Sequence, residues 1–269
     1  MSQQPLQPIP RPKLLVLAVV TALNSSPLNA ERLLEETVIA DMDWVPLRAI
    51  PLNEQDRACQ QCGGRFADPL AGVDLRQSPT EADLEVYADD TEVTEGELLF
   101  EGNVSLKQGY RQVTADQVTA DRARETATAN GNVVFREPGI LIRGSRIDYN
   151  SQSEEATVTD ARYVIHDRRM VGSAVQLKRL GNGEIAIDDG RMTYCSPEDP
   201  EWVLHADELE IDPGSGDAQA WGAKLKVADV PVMYLPWIRF PVDSRRKTGV
   251  LFPDIGSDTR GGVDITAPI

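Results

Sequence analysis

The most reactive side chains in this 269-residue sequence are three cysteines: Cys59 and Cys62, with two residues between them, and Cys195 far downstream. A Cys-x-x-Cys spacing can hold zinc, run dithiol exchange or close disulfides. A structural zinc needs four ligands, and the chain adds only two histidines, His166 and His205, so no metal site and no cofactor are expected. Thioredoxin-like exchange would sit beside a βαβ unit, and no such pattern surrounds the pair. Cys59, Cys62 and Cys195 are therefore disulfide candidates, with one left over or pairing elsewhere.

Nothing else reads as catalytic. No G-x-S-x-G elbow, H-E-x-x-H or phosphate-cradling glycine loop is present. His166 lies among charges in 164–169, and His205 takes an alternation position inside a strand, so both read as structural. The acidic pairs Glu154-Glu155 and Asp188-Asp189 fall at turns, where solvated surface is the default. An enzyme is not expected. With 27 Lys+Arg against 43 Asp+Glu the net charge is −16, which leaves no cationic surface for a nucleic-acid backbone.

The elements that would position these residues begin with an address label. Arg11 and Lys13 precede an apolar run from Leu14 to Leu23, and a small-residue exit ends at Ala30, the order of a cleavable export signal over residues 1–30. The run is about ten residues, short of the roughly 20 that a membrane helix needs. Residues 31–82 mix Pro, Gly and charge without a sustained period and read as a lead-in strap or linker carrying the Cys-x-x-Cys pair. From about Asp83 onward, short β-branched runs alternate with turn-rich clusters at 121–126, 150–155, 180–183 and 212–217, the signature of an all-β domain.

That domain repeats itself. A pattern of apolar, any, Ala/Gly, Asp/Ser, then apolar three positions after the small residue occurs at Val113-Ala115-Asp116-Val118, Ile142-Gly144-Ser145-Ile147, Met170-Gly172-Ser173-Val175 and Leu204-Ala206-Asp207-Leu209. A weaker copy starts at Val86-Ala88-Asp89, with Thr91 in the last apolar place. Each copy is followed by a second short strand, so the unit is strand, turn, strand, and successive units must stack to bury their apolar faces. The two apolar positions are five apart and cannot share a face of a regular strand; a bulge or bend at the Ala/Gly would restore the register. The expected fold is a β-jellyroll or half-pipe of bent strands, with an apolar trough suited to acyl chains. Its candidate lining is Val104, Leu106, Val118, Val133, Phe135, Ile147, Val175, Leu209 and Leu225. A closed core would use the same residues.

The C-terminal end carries a resemblance. The blocks 231–242 (PVMYLPWIRFPV), 245–253 (RRKTGVLFP) and 262–268 (GVDITAP), with Asp43-Trp44-Val45-Pro46 near the start, resemble the lipopolysaccharide-assembly family of the Gram-negative outer membrane, LptD (OstA/Imp). The repeat region is similar to the OstA-like β-jellyroll of that family. The resemblance implies a periplasmic jellyroll over residues 83–240 and the first strands of an outer-membrane β-barrel over 241–269, roughly 249–253 and 262–269. Two strands cannot close a barrel, which takes at least about eight, so the sequence reads as the N-terminal portion of such a protein. The resemblance further implies that lipopolysaccharide arrives from a periplasmic bridge jellyroll protein, shelters its acyl chains in the trough and reaches the outer leaflet through a barrel holding a plug lipoprotein. It makes Cys195 and one of Cys59 or Cys62 the partners of cysteines in a barrel. A stand-alone periplasmic bridge that binds lipopolysaccharide is the alternative, against which the proline-rich and barrel-like blocks argue.

Overall fold

The structure is a computed structural model that describes residues 42–57, 63–76, 79–196, 200–241, 254–257 and 263–266. A short antiparallel pair comes first, β1 (Trp44–Pro46) with β2 (Gly64–Phe66). The chain then enters one 12-stranded sheet: β3 (Leu84–Tyr87), β4 (Asp90–Val93), β5 (Glu97–Gln108), β6 (Arg111–Asp121), β7 (Thr126–Glu137), β8 (Ile140–Asn150), β9 (Glu155–Ile165), β10 (Met170–Arg179), β11 (Ile185–Thr193), β12 (Trp202–Asp212), β13 (Asp217–Val227) and β14 (Val230–Pro241). From β5 to β14 every strand pairs antiparallel with its sequence neighbours, and β3 and β4 both lie against β5. The molecule is all-β with one antiparallel meander, and among the described residues the two ends of the sheet do not pair with each other. A separate pair, β15 (Asp254–Ser257) with β16 (Val263–Thr266), falls in the block expected to begin a barrel; the other expected strand, 249–253, lies outside the described residues.

The turns are written in the residues that close them. At one end of the meander, Asp121, Asn150 and Asp212 each end a strand and accept hydrogen bonds from backbone amides two or three positions on, as at Ala123, Gln152 and Gly214. At the other end the connections are tight, and β7 reaches β8 through Pro138 and Gly139, the latter at φ +85°.

The bends come midway along the strands and line up across the sheet. In β5 and β7 they are true bulges, with Gly102-Asn103 and Gly131-Asn132 inserted between paired positions. In β9, β11 and β13 a single left-handed residue, Asp160, Asp189 or Gly222, bends the strand without shifting the register on either side. The intervening strands place a side chain beside each bend. Asn103 donates to Asp89 at 2.8 Å, Asn132 to Asp116 at 2.9 Å, and Ser145 to Asp160 at 2.7 Å. Asp89 is the break between β3 and β4, so the weak copy in the sequence is one strand interrupted at its corner. In β14 the corner opposite Gly222 is Pro236, where a missing N–H costs nothing to a disrupted ladder.

One correction follows from this alignment. The pattern read at Met170-Gly172-Ser173-Val175 is two residues out of step. Ala174 and Leu177 pack on the interior, and Val175 stands between them, opposite the left-handed Asp160 and Asp189. Val175 therefore occupies the place that Asp116 and Asp207 hold in their strands, and it is 51% exposed rather than part of the lining.

Because each bend resets the alternation, residues on both arms of a strand face the same side. Val158, Ala161, Tyr163, Ile187, Leu209 and Ala220 belong to one interior cluster, and Val104, Ala115, Val118, Ala129 and Val133 to another, with Ile147 touching both. Among the described residues, the lead-in strap covers part of the outer face. Met42, Trp44 and Phe66 of the lead-in strap pack on Leu141, Val164 and Val171, and the Trp44 and Phe66 rings meet edge to face at 4.7 Å. Such an aromatic pair adds about 0.5–1.5 kcal/mol beyond the area it buries.

Candidate lipid-binding interior

Of the candidate lining residues, Val104, Val118, Val133, Leu209 and Leu225 are buried at 8% exposure or less, and Leu106, Phe135 and Ile147 are half-buried. All lie within the bent sheet. The sequence reading missed the small residues that complete this surface: Ala161, Ala174, Ala206, Ala218, Ala220 and Ala223 are all nearly inaccessible. Their signal is spacing, since Ala218 and Ala220 sit two apart and Ala223 follows the bend at Gly222. Small residues on facing arms let the arms approach closely.

The two arms fill the interior with side chains. The space left among Tyr163, Leu204, Leu209, Ala220 and Phe240 is only about 10 Å³. An acyl chain placed there must part the arms. Each methylene it buries returns roughly 0.8 kcal/mol, and the open ends of the sheet allow such parting without breaking a closed ladder. Tyr163 lies deep in this interior, and burial pushes its phenol up to about 12.

The two histidines have structural partners. His166 is buried and its Nε2 lies 3.0 Å from the Asp43 carboxylate, which also receives Arg136 in a two-bonded fork. Burial alone would lower the His166 pKa, and the Asp43 hydrogen bond, the Gly139 backbone and the negative charges of Asp68 and Asp43 together outweigh it, leaving the imidazole above its usual value. Asp43 shows the mirror case: burial would raise it, and His166 with Arg136 hold it below the usual carboxylate range. His205 sits 2.5 Å from the exposed corner residue Asp189. Among the described residues no cluster of His, Cys, Asp and Glu is arranged to hold a metal. Cys195 is buried, and its backbone N–H donates to the Thr193 hydroxyl oxygen at 3.1 Å; Cys59 and Cys62 lie outside the described residues.

A single-sheet meander bent at aligned corners around an apolar interior defines an open β-jellyroll. Comparison with known proteins gives the same class: residues 85–217 match the family described as LptA/(LptD N-terminal domain) LPS transport protein. The LPS-assembly protein LptD of Saccharophagus degradans is 34% identical over 227 residues, 84% of this chain and 26% of that protein. LptD of Chromohalobacter salexigens is 33% identical over 258 residues, 94% of this chain and 29% of that protein. Among solved structures, LptH of Pseudomonas aeruginosa, described as an LptA-homologous periplasmic component of lipopolysaccharide transport, aligns at 16% identity. That alignment covers 51% of this chain and 80% of LptH, with a TM-score of 0.24. The chain belongs to the LptD family of LPS-assembly proteins and spans 26% and 29% of the length of the two LptD relatives named.

Proposed function

We propose that this chain works in lipopolysaccharide transport and assembly at the outer membrane, its jellyroll receiving the lipid's acyl chains between the two arms of the sheet. The observation that carries this reading is the continuous apolar interior of an unclosed sheet, from Val104 and Val118 through Ile147 to Leu209 and Ala220. Family membership supports it, because the relatives are named for LPS assembly. The role is carriage rather than catalysis.

The rest of the reading places residues 1–30 as an export signal, 31–82 as the strap and 83–240 as a jellyroll facing the periplasm, with 241–269 leading into an outer-membrane barrel. A bridge jellyroll protein hands lipid to the β3–β4 end, whose exposed Leu84, Tyr87 and Val93, with no further strand beside them among the described residues, offer a sheet edge that another strand can extend. A plug lipoprotein acts with the barrel, and disulfides from Cys195 and from Cys59 or Cys62 tie the jellyroll to it.

The test is to place Glu at Val118 or at Ile147 and to measure photocrosslinking to lipopolysaccharide together with circular dichroism. Folded variants that no longer take up lipid support the reading. Folded variants that load lipid as the wild type does refute it. Ile147→Ala provides the milder variant if either Glu prevents folding, with reduced crosslinking as the expected result.

A further inference from the structure

We infer that the outer face of the sheet carries an oxyanion site of the phosphate class, centred on Arg162, Ser173 and Arg191. Strand pairing sets these three side by side: Arg162 on β9 is directly opposite Ser173 on β10, and Ser173 is directly opposite Arg191 on β11. Val171 packs beneath the strap, and Ser173 two residues on shares its face, so the trio lies on the outside, away from the acyl-binding interior. Neighbouring strands run about 4.8 Å apart, so Arg162 and Arg191 flank Ser173 on the two adjacent strands, and all three line one cavity.

The same row continues through Arg143 on one side and His205 and Lys224 on the other. Like charges set directly opposite in a sheet destabilise it, and a chain of net −16 has carboxylates to spare. Lys224 uses Asp207 and His205 uses Asp189, yet Arg162 and Arg191 hold no ion pair among the described residues. They line a cavity of about 340 Å³ beside Met42 of the strap, together with Lys226. Asp229 also lines that cavity, and Asp189, already held by His205, feels the Arg191 charge. Arginine forks bind phosphate oxygens two at a time, and a serine hydroxyl between them donates a further bond. The apolar wall of Met42, Val171 and Val203 admits the group that carries the phosphate.

The site stands independently of the lipid-carrier reading, since it occupies the opposite face. Its test is the affinity of the full chain for inorganic phosphate by calorimetry at low ionic strength, with co-sedimentation on neutral phosphatidylcholine vesicles with and without phosphatidic acid. The expected result is saturable binding that falls at least tenfold in R162Q/R191Q and less in R162K/R191K, where charge remains and the fork is lost. Arg146→Gln, at an exposed pair with Asp148 elsewhere on the sheet, should change nothing. Binding of inorganic phosphate assigns the site to a free anion, and binding of only the phosphatidate vesicles assigns it to a lipid-borne one. If neither binds, or if R162Q/R191Q binds as the wild type does, the site does not exist. Because the Val118 and Ile147 variants alter only the interior, loss of lipid loading there leaves phosphate affinity intact.

Discussion

Asp43 and Arg136, 93 residues apart, meet in two parallel hydrogen bonds that pin the strap to the outer face of the sheet. Both side chains are largely buried, at 8% and 17% exposure, so the pair is shielded from screening and each partner needs the other. Asp43→Asn keeps the shape and removes the charge. It should loosen the strap by about 2 kcal/mol, below the full cost of a deeply buried pair because Arg136 retains some solvent. Hydrogen exchange is the readout, with Trp44–Pro46 losing protection while β8 to β10 keep theirs. Unchanged exchange would mean that the Trp44 and Phe66 contacts alone hold the strap.

The same cluster predicts a pH dependence. His166 is raised above 6.5, so its contribution is complete below 6.5 and is lost as pH rises through its folded value. Asp43 is lowered below 3.8, so its contribution is present above 3.8 and is lost as pH falls through its folded value. Strap docking should be firmest between those two reference values and weaken in alkaline solution. Limited proteolysis across pH checks this, and His166→Gln should flatten the alkaline limb while leaving the acid limb in place.

Gly131 sits at φ +74°, and an added Cβ would run into the Asp116 side chain. Gly131→Ala should cost about 1–2 kcal/mol from the left-handed backbone, plus whatever the carboxylate gives up by moving. Chemical denaturation measures it. A neutral result would show that the corner can unbend without loss.

The reassigned corner in β10 makes opposite forecasts for two neighbours. Val175→Ala, at a 51% exposed position, should change stability by no more than about 0.5 kcal/mol. Leu177→Ala, packed against the interior, should cost about 2 kcal/mol or more. Equal effects would mean that the strand keeps the register first read from its sequence.

The repeat made much of this fold legible. Period-two alternation marked the strands, Asp121, Asn150 and Asp212 marked the turns, and the odd spacing of Val113 and Val118 announced a bend. Which strand bends was less visible, because the small residue in one strand yields to a left-handed residue in its partner, and only pairing reveals that Gly131-Asn132 lies against Asp116. In β10 two overlapping small-residue pairs, Gly172-Ser173 and Ala174-Val175, fit the pattern nearly equally, and the choice between them depends on Asp160 and Asp189 in the flanking strands. The alanines of the interior escaped notice because a search for bulky apolar side chains passes over the residues that let two walls close together. The strap's anchorage was beyond local reading altogether: nothing near Asp43 in the sequence points to Arg136 or, 123 residues away, to His166.

The alternation of corner types gives the architecture a unit of length. Left-handed bends fall in β5, β7, β9, β11 and β13 and their counterparts, polar or proline except for Val175 of β10, in the strands between, so a corner is complete only when strands come in twos. Lengthening or shortening the sheet by one hairpin moves its end by about 10 Å and leaves the cross-section unchanged. A single-strand change would set two like corners side by side and interrupt the groove. Size variation in such a sheet should therefore be quantised in hairpins, the way a chain is adjusted by whole links.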